Sequence, residues 1–182
     1  MNGPGQLAAA LRYAIGTVEP VTADQLAAPT PCRDWELGAL LMHACDSAAA
    51  VAEALAGGVV RLEAAAAVGA EPRRGFLDRA RRLLTRCECQ TGTGTVLIGG
   101  CPMATDLLCT VGAIEIAVHG WDVSQACGSR RPVPEPLAAA LLPAARDLIC
   151  PDERAPQFAL PRRVAATASA SDRLTAFLGR QD

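Results

Sequence analysis

The core of this chain has to be built almost without aromatic side chains. Hydrophobic residues make up 51% of the sequence but aromatics only 3%, so the interior must be filled by Ala, Leu, Val and Ile. Ala is the strongest helix former, whereas sheets favour β-branched and aromatic residues. An all-α fold, a helical bundle rather than a β-sandwich, is the expectation. A length of 182 residues suits a single domain over 1–182, with short additional C-terminal helices.

The apolar spacing supports this reading. Leu7, Leu11, Ala14 and Ile15 share one face of a helix from Gly5 to Val18. Pro20 and Pro29-Thr30-Pro31 then mark a loop. A second helix starts near Arg33 to Trp35, with Asp34 as its cap, and runs to about Leu55 before Gly57-Gly58. Its buried stripe is Leu37, Leu40, Leu41, Cys45, Ala48 and Val51, with His43 beside it. The Ala-rich stretch 59–70 fits either a helix or a frayed extension. A third helix spans roughly Arg73 to Cys87. Thr91 to Gly100 reads as a Gly-rich loop with a short extended piece; it lacks the third glycine or the Gly-Lys-Ser/Thr of a phosphate loop. The fourth helix runs from about Ala104 to Cys127 with Gly128 as its cap. The fifth covers Pro134 to Ile149 with a kink at Pro143, and a closing helix extends from Ser171 to Leu178.

Charge excludes some roles. Net charge is -2, and all positive side chains are arginines. No general electrostatic pull towards nucleic acid follows from that balance. The N-terminal Met1-Asn2-Gly3-Pro4-Gly5 does not read as a signal peptide. The long apolar stretches are broken by His43, Asp46 and Glu53, or by Pro143 and Arg146, so no clean membrane span is expected. These features point to a cytoplasmic protein. The eight cysteines contain no CxxC pair. They fit free thiols used as small apolar residues, with a redox or second metal role open for Cys87, Cys89 and Cys101.

The chain has only two histidines, His43 and His119, both inside apolar helical runs. A polar group placed there costs free energy unless it is satisfied. Glu115 precedes His119 by four residues, which puts the two on one helix face. Two imidazoles and a carboxylate would make a three-ligand metal site with an open position, the arrangement of catalytic zinc. The bland alternative is a pair of core histidines satisfied by hydrogen bonds. Asp122 and Asp46 each lie three residues after a histidine, where a carboxylate can orient an imidazole from behind. Each could equally be solvated or paired with an arginine. Trp35 and Trp121 read as packing residues near the site or as substrate contacts, and Arg33 as a contact for an anionic thiol or substrate or as a helix-start ion pair.

These residues also resemble a known family. Thr30-Pro31-Cys32-Arg33-Asp34-Trp35 leading to His43, followed by Glu115-Ile116-Ala117-Val118-His119-Gly120-Trp121-Asp122, looks like the DinB-like metalloenzymes, and more closely the branch of mycothiol-dependent maleylpyruvate isomerase. The ending Asp172-Arg173-Leu174-Thr175-Ala176-Phe177-Leu178-Gly179-Arg180 is similar to the close of one actinobacterial branch. The resemblance implies a DinB-like four-helix bundle holding a divalent metal, usually zinc, between helices. By position His43, Glu115 and His119 would be its ligands. It further implies a low-molecular-weight thiol such as mycothiol, used in isomerisation or S-transfer on a small electrophilic substrate. A metal-dependent hydrolase or lyase using water, and a non-catalytic metal-binding or sensor protein, remain alternatives. A homodimer is compatible with such a bundle, although no patch in the sequence marks one.

Overall fold

The computed structural model describes every residue except 33–34, 61–70, 91–92, 151–153, 155–157 and 181–182. It is mostly helical. Helix α1 is Gly3–Val18, α2 Leu37–Gly57, α3 Pro72–Glu88, α4 Thr105–Ala126, α5 Glu135–Leu148 and α6 Ala170–Phe177. A short 3-10 turn, Ala23–Ala27, precedes α2. The expected cap Asp34, the candidate contact Arg33 and the stretch 61–70 lie outside the described residues.

Local chemistry accounts for the helix ends. Asn2 accepts from the Gly5 amide and caps α1, with Pro4 in the first turn. Both carboxylate oxygens of Glu71 accept from the Arg73 and Arg74 amides and cap α3. Helix α2 begins behind Glu36, whose side chain makes no capping bond. It closes on Gly58 at φ 70°, a left-handed conformation that glycine adopts without steric cost. Helix α5 continues through Pro143.

One element departs from the expectation of a loop between α3 and α4. Strands β2 (Thr95–Ile98) and β3 (Cys101–Ala104) form an antiparallel hairpin, and β1 (Val59–Val60) adds to β2 in parallel. The turn is Gly99-Gly100, both with positive φ. Two such residues suit the tight hairpin connection whose twist matches the flanking strands. The Gly-rich character was thus a turn signal as much as a loop signal.

Helices α1, α2, α3 and α4 pack against one another, and α5 pairs with α6. The interior is what a chain poor in aromatics requires: Leu7, Leu11, Leu37, Leu40, Leu41 and Leu83 are fully buried among alanines, with Phe76 the largest fully buried side chain among the described residues. Each such Leu stabilises the fold by about 1.5–3 kcal/mol relative to exposure. The expected stripe of α2 is buried throughout, and Cys45 and Cys109 are core residues. Helix α4 is buried on nearly every side. Its Gly120 lies so close to α1 that a Cβ would sit 3.1 Å from Ala14 and from the Tyr13 ring. By length and mean hydropathy, α2 and α4 would each suffice to cross a membrane, although 83% of the α4 window is buried inside the protein.

Candidate metal centre

Helices α2 and α4 bring the two histidines together. His43 on α2 places Nε2 2.6 Å from Oε1 of Glu115 on α4. His119, one turn further along α4, places its own Nε2 3.1 Å from the same oxygen. Ser47, one turn after His43, donates its hydroxyl to that oxygen at 3.4 Å. The imidazoles meet edge to face with centroids 5.1 Å apart. His119 is buried, while His43 and Glu115 are partly exposed, so the cluster opens on their side.

Trp35, just before α2, stands beside that opening. Thr30 Oγ1 donates to the carbonyls of Cys32 and Trp35, and the Trp35 amide donates back to the Cys32 carbonyl. With these bonds in place the Trp35 ring lies 4.6 Å from the His43 ring and 6.3 Å from the His119 ring. Trp121, the other candidate contact, is a buried core residue. Asp46 lies on the outside of α2, where Arg79 of α3 reaches it at 3.4 Å.

Asp122 has a different environment. Fully buried, it accepts from His119 Nδ1 at 3.0 Å through Oδ2. Behind it, Arg180 donates from Nε to Oδ1 at 2.9 Å and from Nη2 to Oδ2 at 3.0 Å. The two readings of Asp122, imidazole orienter and arginine partner, therefore coexist. The role of Arg180 had no local signal in the sequence, because its partner is 58 residues away.

Burial opposes charge on both Glu115 and His119, and the hydrogen bonds outweigh it. Those from His119 and His43 hold the Glu115 carboxyl well below the usual carboxylate range. Those to Asp122 and Glu115 raise the His119 imidazole to about 9. The cluster is thus negative enough to hold a proton tightly, and a divalent cation competes for the same lone pairs.

The donor set suits such a cation. One donor atom from each of His43, Glu115 and His119 lies within 4.8 Å of the others. Ligands at 2.0–2.2 Å around a tetrahedral zinc stand about 3.3 Å apart, so small side-chain adjustments would admit it. The Nδ1 contact to a carboxylate directs the His119 proton away from Nε2, as metal-bound histidines require. A second set, Cys32 with His119 and Asp122, is equally compact. It is the poorer site, because Arg180 already engages both Asp122 oxygens. Among the described residues no such group includes Cys87, Cys89 or Cys101.

Residues 7–124, which carry all of these groups except Arg180, match the family described as the mycothiol maleylpyruvate isomerase N-terminal domain. The chain belongs to this family. It is thereby a DinB-like domain. Two curated relatives, both uncharacterised proteins of Mycobacterium tuberculosis, come from strains CDC 1551 / Oshkosh and ATCC 25618 / H37Rv. Each is 30% identical over 172 residues, covering 88% of this chain and 87% of its own. No solved structure matches the chain.

Proposed function

We propose that this chain is a zinc-dependent enzyme that uses a low-molecular-weight thiol, such as mycothiol, for isomerisation or S-transfer on a small electrophilic substrate. The observation that carries the reading is the convergence of His43, Glu115 and His119 on one point with an open side. The family name, which cites a mycothiol-linked isomerase, supplies the thiol. In this reading α1 to α4 are a DinB-like four-helix bundle and residues 1–182 are one domain.

A divalent cation held by these three side chains supplies positive charge that favours thiolate over thiol. Asp122 keeps the His119 proton on Nδ1. Ser47 donates its hydroxyl to the Glu115 carboxylate at Oε1. Trp35 narrows the approach on the His43 side. The thiolate sulfur adds to an electrophilic alkene carbon, and the π electrons move onto the neighbouring carbon. Rotation about the new single bond and expulsion of the same sulfur give the other geometric isomer and return the thiolate. Addition followed by proton uptake at the neighbouring carbon gives an S-conjugate instead.

The reading includes a cytoplasmic location, where cysteines such as the exposed Cys89, Cys101 and Cys150 are kept reduced. The expected partners are small molecules rather than nucleic acid or membrane, with a homodimer as the assembly to test by sedimentation. The deciding assay presents the zinc-loaded protein with a cis alkene diacid, with and without added thiol. Turnover that requires thiol supports the proposal. Thiol-independent hydration or hydrolysis would place the chain among water-using metalloenzymes, and tight zinc binding without turnover would mark a sensor.

A further inference from the structure

We infer that Arg180 is a positioning residue of the metal centre, acting through Asp122 on His119, so that the C-terminal segment completes a site whose ligands all come from the first two-thirds of the chain. The inference rests on the metal-binding reading above.

Arg180 is set in place by its backbone. At the end of α6 the Gly179 amide donates to the Ala176 carbonyl and the Arg180 amide to the Thr175 carbonyl, the paired bonds of a Schellman cap. Gly179 sits at φ 77°, and a Cβ there would lie 2.5 Å from the Ala159 carbonyl oxygen, so glycine is required on two counts. The Arg180 carbonyl in turn accepts from Arg162 Nη1 at 2.9 Å. A residue near the end of the sequence is thus held on both sides, with its side chain buried.

The side chain spends that order on one target. Its Nε and Nη2 grip the two oxygens of Asp122 in the planar two-point geometry that arginine offers and lysine lacks. The grip sets the plane of the carboxylate, and Oδ2 is the atom that receives His119 Nδ1. Removing the fork would free Asp122 to turn, and the imidazole would lose the contact that aims Nε2 at Glu115 and His43. Partners of this kind behind a metal-bound histidine change metal affinity by roughly 10–100-fold.

The test compares the full-length protein with Arg180→Met and Arg180→Lys. Zinc affinity is measured by chelator competition, the visible spectrum is taken with cobalt in place of zinc, and the downfield Nδ1 proton of His119 is followed by NMR. Arg180→Met is expected to weaken zinc binding by roughly 10–100-fold, shift the cobalt bands and broaden the Nδ1 proton, with Arg180→Lys intermediate. A folded Arg180→Met protein with wild-type affinity and spectrum would overturn the inference. Should that variant fail to fold, wild-type values in Arg180→Lys would overturn it equally. If the wild-type chain binds no zinc, the metal reading fails separately. The Nδ1 proton in metal-free protein then decides the relay: its loss in Arg180→Met upholds it, and its persistence ends it.

Discussion

His43 and Glu115 are 72 residues apart in sequence, yet Nε2 of one lies 2.6 Å from Oε1 of the other. That contact joins α2 to α4 at a carboxylate oxygen that both imidazoles share. A metal centre at this point would therefore stand or fall with three side chains acting as a unit. Purified wild-type protein is expected to carry about one zinc per chain, and His43→Ala, Glu115→Ala and His119→Ala to lose most of it, since two remaining ligands make a poor zinc site. Metal analysis of the four proteins checks this, and unchanged stoichiometry in all three variants would remove the centre.

Metal-free protein is expected to lose stability as pH rises. His119 moves from an ordinary 6.5 to about 9 in the fold, so the folded chain holds its proton more tightly than the unfolded chain. The stabilisation this provides is complete below about pH 6.5 and disappears as pH climbs through 9. Thermal melts in chelator across that window should show the fall, and His119→Gln should flatten it. Zinc displaces the same proton, so its apparent affinity should rise over the same range, by up to about tenfold per pH unit for each proton released.

Gly120→Ala is expected to destabilise the fold. The new methyl would press on the Ala14 Cα and the Tyr13 ring at 3.1 Å. Neither yields readily, because Ala14 presents backbone and the Tyr13 hydroxyl is tied to the Arg131 carbonyl at 2.7 Å. Overpacking of this kind costs about 1–3 kcal/mol, against a gain of about 0.5–1 kcal/mol from helix propensity. Calorimetry should record a melting point lower by a few degrees, and a rise would contradict the packing described for α1 and α4.

Thiol labelling should divide the cysteines by environment. Burial pushes the Cys87 thiol up to about 12 and Cys109 up to about 11, so neither offers thiolate at neutral pH. Cys89, Cys101 and Cys150 are exposed. Brief alkylation of native protein, mapped by mass spectrometry, should mark those three well before Cys87 or Cys109. Equal rates would mean that the interior opens far more readily than its packing implies.

Much of the helical architecture could be read from the residues because Leu and Ala recur at the helical period, and the ends of α1, α3 and α4 fall within a few residues of their expected positions. Glu115, His119 and Asp122 share one helix, so their spacing alone put them within reach of one another. Other relationships depend on which neighbour an element meets. Asp46 has the same offset from His43 that Asp122 has from His119, but its direction on α2 leads to Arg79. Trp35 and Trp121 read alike in the sequence as packing residues near the site, yet one lies beside the imidazoles and the other in the core. The small sheet was hard to foresee because β1 has only two residues and finds its partner across all of α3.

Helix α4 is enclosed on nearly every side and carries Glu115, His119 and Asp122 on little more than two turns. Folding and chemistry are written on the same rod. A change that slides or rotates it to re-aim the donors must also undo its close packing against α1. Variation that diversifies substrates without unfolding the scaffold has its freest ground elsewhere, in the turn that bears Trp35 and along the outer face of α2.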